Sequence, residues 1–283
     1  MEMDKTPHID PNIRMGAVTL TVADLARSLR FYQDRIGLGL LSRQESTAIL
    51  GAGNIPLLRL QQLPGARTYP RATGLFHFAL RVPSRLELAR TLTHLIETET
   101  TIDGASDHNV SEALYLHDPD GHGIEIYRDR PRADWYKGER FVLNTTPFQV
   151  DGVMAELEGH REAWEGIHPA TDMGHVHLRV ADLTDARHFY VDILGFEIML
   201  AMDSALFISA GGYHHHLGMN TWAGVGAPTP PDNAARLISY EIHFPAAALP
   251  PTLDRLRSAG IEPIQHEAGW FVRDPSQNGI VLV

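Results

Sequence analysis

The stretch GAVTLTVADLARSLRFYQDRIG at residues 16–37 returns without a gap as GHVHLRVADLTDARHFYVDILG at residues 174–195. The two copies share Gly, Val, Leu, Val-Ala-Asp-Leu, Phe-Tyr, Asp and a closing Gly. Each opens with the apolar/polar alternation of a half-buried strand. Asp24 or Asp182 then stands where a helix N-cap belongs, since a short carboxylate can accept the first unpaired backbone N–H groups. An amphipathic helix follows and runs to Gly37 or Gly195, a residue able to end it. Phe31-Tyr32 and Phe189-Tyr190 fall on the inner face of that helix and read as core packing.

Weaker versions of the unit occur twice more. GLFHFALRVP at 74–83 leads into a helix near 84–98, and LISYEIHFP at 237–245 leads into one near 246–259. Both units close with an Asp-Pro turn between strands, LYLHDPDGHGIEIY at 114–127 and WFVRDPSQNGIVLV at 270–283. Asp-Pro followed by Gly favours such a turn for backbone reasons. The chain therefore reads as α+β, with four βαβββ modules near 14–62, 74–130, 173–222 and 237–283. Residues 1–130 are expected to form an N-terminal domain and 173–283 a C-terminal one, with 131–172 as linker. A module this short cannot cover both faces of its own sheet, so modules should pair, with curved antiparallel sheets around a cleft.

Composition narrows the chemistry. The 283 residues are 43% hydrophobic and 21% charged, as in soluble globular proteins. The net charge of −11 and dispersed Lys/Arg argue against a nucleic-acid partner. No run is long enough to span a bilayer, and the N-terminal residues lack an apolar leader core, so a cytoplasmic protein is expected. With no cysteine, disulfides, Fe–S clusters and thiolate metal ligands are excluded, leaving His and carboxylate donors.

Paired βαβββ modules with these openings resemble the vicinal oxygen chelate superfamily of glyoxalases, bleomycin-resistance proteins and extradiol dioxygenases. The whole-chain pattern is most similar to bacterial catechol-2,3-dioxygenase-like proteins. The resemblance implies two domains of this type and metal ligands on the first and last strands of modules, facing the cleft. First-strand positions are Ala17, His77, His175 and Ser239; last-strand positions include Glu125 and Val281, each seven residues after the Asp of its turn. Module two thus offers His77 and Glu125, module three offers His175 and a histidine of Tyr213-His214-His215-His216, and modules one and four offer nothing. Two His and one carboxylate form the facial set of non-haem oxygenases. Fe(II) is the preferred ion, with Mn(II), Zn(II) and Ni(II) chemically acceptable.

HNVSEALYLHDPDGHGIE at 108–125 also matches the extradiol signature, apart from Ser106 just before it, where Gly or Asn is usual. By that likeness His108 and Tyr115 are catalytic residues contacting substrate or oxygen. A family acid/base His belongs on the last strand of module three. Strand alternation puts His214 and His216 on one face and His215 on the other. His216 is then the catalytic base, or a fourth ligand, and His214 lines the cleft rim. Tyr127 shares the face of Glu125, and Tyr127 and Trp222 join His214 as substrate-binding residues.

The better-known two-domain extradiol enzymes build their site from modules three and four, which Ser239 and Val281 preclude here. Modules two and three must instead meet, within one chain or across the interface of a homo-oligomer. The expected function is extradiol cleavage of a small aromatic diol with O₂. The alternatives are a glyoxalase-like metal-dependent isomerase or transferase with four ligands, and a non-catalytic small-molecule-binding resistance protein.

Overall fold

The computed structural model describes residues 8–138, 140–160 and 162–283. Module one comprises β1 (Arg14–Val22), α1 (Leu25–Asp34), β2 (Gly39–Arg43), β3 (Thr47–Ala52) and β4 (Ile55–Gln62). Module two comprises β5 (Gly74–Arg81), α2 (Arg85–Glu97), β6 (Gly104–Asp107), β7 (Ser111–His117) and β8 (Gly123–Asp129). The segment between the halves holds three short strands, β9 (Tyr136–Lys137), β10 (Arg140–Phe141) and β11 (Thr146–Pro147), and a helix α3 (Val150–Met154). Module three has β12 (Asp172–Arg179), α4 (Leu183–Arg187), β13 (Glu197–Ala201), β14 (Ala205–Ser209) and β15 (Leu217–Asn220). Module four has β16 (Leu237–His243), α5 (Leu249–Ser258), β17 (Ile264–His266), β18 (Gly269–Arg273) and β19 (Gly279–Leu282).

The sequence signals account for these boundaries. Asp24 accepts from the backbone N–H of Arg27 at 2.9 Å, and Asp182 from Thr184 and Asp185 at 2.7 and 3.1 Å. Gly37 and Gly195 take φ of 83° and 91°, where L side chains are strained. The two repeats differ in one respect: α4 widens into π-type turns over His188–Ile193.

Module one pairs with module four in one sheet, ordered β17-β18-β19-β16-β1-β4-β3-β2. Modules two and three form the other, ordered β11-β6-β7-β8-β5-β12-β15-β14-β13. At each centre two first strands run antiparallel, β1 with β16 and β5 with β12. Each first strand runs parallel to the last strand of its own module. A Cβ on Gly123 or Gly279 would come within 2.1 Å of the carbonyl oxygen of Phe76 or Ile238. Only glycine lets those last strands start so close to the first.

Alternation divides the β5/β12 ladder into two faces. Phe78, Leu80, Val176 and Leu178 are fully buried in the main core. His77, His175 and His177 lie on the opposite face. The Phe-Tyr motif does more than pack. Tyr32 donates its hydroxyl to Asp118 at 2.9 Å, and Tyr190 to Asp274 at 3.0 Å, so each helix of a strong repeat is tied to the Asp-Pro turn of the following module.

Candidate metal centre and cleft

Two registers bring the ligand columns together. In the central ladder Val176 lies opposite Phe78, so His77 and His175, each one residue before that pair, are related by the local two-fold arrangement of the modules. In the parallel pairing of β5 and β8, Glu125 lies beside Ala79. Glu125 Oε2 is 3.0 Å from His77 Nε2 and 3.1 Å from His175 Nε2, and the two Nε2 atoms are 3.3 Å apart. All three residues are buried. Donors held ~2.1 Å from one ion at right angles lie ~3 Å from one another, so this triangle fits one face of an octahedral divalent metal. Burial works to raise the Glu125 carboxyl, but the His175 and His77 imidazoles outweigh it and hold the group well below the usual carboxylate range. Burial lowers His175 to about 4, against the neighbouring carboxylate, which leaves its ring neutral and able to donate a lone pair.

The same registers locate the position opposite Glu125 in module three. Glu125 lies beside Ala79, and its counterpart beside His177 is Gly218. A Cβ at Gly218 would come within 2.9 Å of the His177 ring. No side chain of module three therefore occupies the place of a second carboxylate. His177 fills that space and receives Asn220 Nδ2 at 2.9 Å.

His77 and Glu125 line a cleft of about 550 Å³ whose wall is chiefly apolar, and His175 packs behind them against the cleft residue His215. Phe76, Leu200, Met202, Phe207 and Trp222 form the wall; His108, Tyr115, His177 and His215 add polar groups. Tyr115 hydrogen-bonds His108 Nε2 at 2.7 Å. His108 Nδ1 meets the Asn144 carbonyl at 3.1 Å, so its proton is placed there and Nε2 accepts from the Tyr115 hydroxyl. Burial, followed by the charge of Glu125, holds the Tyr115 phenol well above its ordinary value and keeps it protonated.

The three consecutive histidines are arranged differently from the alternation expected for a strand. β15 begins only at Leu217; residues 210–216 form turns and bends, with Gly211 and Gly212 at φ of 60° and 64°. His215 is the one that lines the cleft, its ring centroid 4.1 Å from that of His175. His216 faces a second cavity of about 860 Å³ with Arg81, Tyr213 and His243, and its Nδ1 accepts the Ala210 N–H at 3.2 Å. Burial pushes it down to about 3. It reaches neither the cleft nor the triad. His214 is fully buried and not at the rim, with Nε2 2.8 Å from Asp129. Tyr127 is also fully buried: it packs beside His175 and bonds the Tyr213 hydroxyl at 2.7 Å, out of the cleft. Trp222 is 55% exposed and does line the cleft.

Other cleft residues had no signal in the sequence. Leu143, Asn144 and Thr145 come from the segment between the halves, whose place against His108 is set by tertiary packing. No described helix is long and apolar enough to cross a membrane.

A model of the Glyoxalase/Bleomycin resistance protein/Dioxygenase superfamily matches residues 14–126 and 172–282. The chain is 42% identical over 275 residues to the catechol-2,3-dioxygenase of Bacillus subtilis (strain 168), covering 94% of this chain and 95% of the relative. It is 29% identical to mouse glyoxalase domain-containing protein 4 over 46% of this chain and 47% of that protein. Among solved structures, a putative dioxygenase from Bacillus subtilis superposes with a TM-score of 0.64 at 14% identity, covering 98% of this chain and 85% of the other. Glyoxalase I from Zea mays gives 0.58 at 17% identity, covering 96% and 92%. With its two-sheet fold of four modules and both matched regions, the chain belongs to the Glyoxalase/Bleomycin resistance protein/Dioxygenase superfamily.

Proposed function

We propose that the protein is an extradiol dioxygenase that opens a catechol-type ring beside its hydroxyls, using O₂ at a non-haem metal held by His77, Glu125 and His175. One observation carries this reading: a buried two-His, one-Glu triangle borders an apolar cleft through His77 and Glu125, and the equivalent last-strand position of module three is Gly218 instead of a fourth ligand. A four-ligand isomerase site would leave less room for a bidentate diol together with O₂. The name of the 42%-identical relative agrees with the same choice.

A divalent metal here, with Fe(II) preferred, would acidify a catechol hydroxyl and bring diol and O₂ to adjacent positions. The residues of the chain supply the rest. Phe76, Phe207 and Trp222 hold the ring and exclude water. His215, and not His216, takes the hydroxyl proton on Nε2 and later returns it, since of the three consecutive histidines only His215 lines the cleft. Tyr115, whose hydroxyl hydrogen goes to His108, accepts a hydrogen bond from a substrate hydroxyl.

The test is anaerobic loading with Fe(II), then addition of catechol and substituted catechols in air. The expected result is O₂ uptake matched by a yellow ring-opened product. No uptake across the panel would overturn the proposal.

A further inference from the structure

Behind His215 runs a hydrogen-bonded chain that leads away from the cleft. His215 Nδ1 is 2.9 Å from His214 Nδ1, and His214 Nε2 is 2.8 Å from Asp129 Oδ1. Asp129 also receives Arg81 at 3.0 Å on Oδ2 and the Tyr213 hydroxyl at 3.1 Å. His214 and His215 are both buried, and His215 Nε2 makes no hydrogen bond among the described residues. A histidine ring with one proton is a donor at one nitrogen and an acceptor at the other, so the three groups cannot be assigned independently.

The assignment starts at Asp129. An ionised carboxylate only accepts, so His214 must carry its proton on Nε2. His214 Nδ1 is then an acceptor, and His215 must donate to it from its own Nδ1. That leaves His215 Nε2 with a lone pair, the form needed to take a proton from a substrate in the cleft.

We propose that Asp129 and His214 are positioning residues that fix the His215 proton on Nδ1 and so present Nε2 to the cleft as an acceptor. The assignment of His215 as acid/base rests on the proposed dioxygenase function; the tautomer itself does not. The surroundings of Asp129 also dictate what Asp129→Asn does. The guanidinium of Arg81 has only donors, so the Asn oxygen turns to Arg81 and its NH₂ turns to His214. His214 must then accept on Nε2 and donate from Nδ1. His215 accepts on Nδ1, and its proton moves to Nε2.

The experiment is ¹H–¹⁵N correlation NMR of ¹⁵N-histidine-labelled protein loaded with diamagnetic Zn(II), with a His215→Gln sample to assign the ring. Wild type should show His215 with a protonated Nδ1 and an unprotonated Nε2, and Asp129→Asn should show the reverse. A wild-type ring protonated on Nε2, or coordinated to Zn(II), overturns the proposal, as does an unchanged tautomer in folded Asp129→Asn. The wild-type spectrum is decisive even where the variant does not fold. In Fe(II) protein active on catechols, Asp129→Asn should lower kcat by at least ~100-fold with little change in KM, as expected when a general base holds its proton on the wrong nitrogen. Absence of ring cleavage in wild type with the NMR pattern intact would refute the dioxygenase reading and leave the tautomer proposal standing.

Discussion

The Nε2 atoms of His77 and His175 stand 3.3 Å apart, although 98 residues separate them in the chain. The pairing of β5 with β12 brings them together, and the parallel register of β8 adds Glu125 from the same module as His77. Two half-sets of candidate ligands are brought together within one chain.

The hydroxyl ties between modules give the first expectation. Tyr32→Phe leaves one oxygen of the buried Asp118 without its donor, which should cost ~1–3 kcal/mol. Tyr190→Phe should also destabilise, by a different route: Asp274 Oδ2 keeps the Asn278 amide, but the buried Tyr240 hydroxyl loses its partner. The two sites share no partner, so the double variant should lose close to the sum in urea denaturation.

His216 makes stability depend on pH. Its folded value is about 3 against an ordinary 6.5, so between those values the unfolded chain binds a proton that the native chain does not. Stability is therefore whole above pH 6.5 and falls as pH drops from 6.5 through about 3, by up to ~1.4 kcal/mol per pH unit from this group. His216→Gln should remove that part of the slope in urea midpoints measured over this range.

The same residue separates the two candidates for acid/base work. His215→Gln should lower kcat by ~10²–10⁴-fold. His216→Gln, altering a ring in the other cavity, should leave kcat within a few-fold. O₂-electrode kinetics on the two Fe(II) proteins decides, and the opposite ranking would return the role to His216.

What could be read in the sequence followed from periodicity and register. The repeat at 16–37 and 174–195 placed strands, N-caps and terminal glycines because each is a local requirement of the backbone. The columns of candidate ligands that the fold brings together were legible because each is counted from a cap, a proline or a turn on its own strand. His214, His215 and His216 were not, since alternation applies only inside a strand and these residues precede β15. Nor were Asp129, Gly218 and Asn144, whose roles depend on which strand or segment lies beside them.

The exposed Trp222 edge of the cleft bears on substrate affinity. Its ring stacks edge-on to Phe76 with centroids 5.0 Å apart. Trp222→Ala removes apolar wall and no donor to the triad, so KM for catechols should rise ~5–30-fold while kcat changes little.

Metal stoichiometry decides whether modules two and three of one chain build one site. Protein loaded anaerobically with Fe(II) and freed of excess ion should hold one iron per chain. His77→Ala, His175→Ala and Glu125→Ala, folded by circular dichroism, should each hold almost none, because each removes one corner of the triangle. Stoichiometric iron in folded His77→Ala or His175→Ala would mean that the metal is held elsewhere.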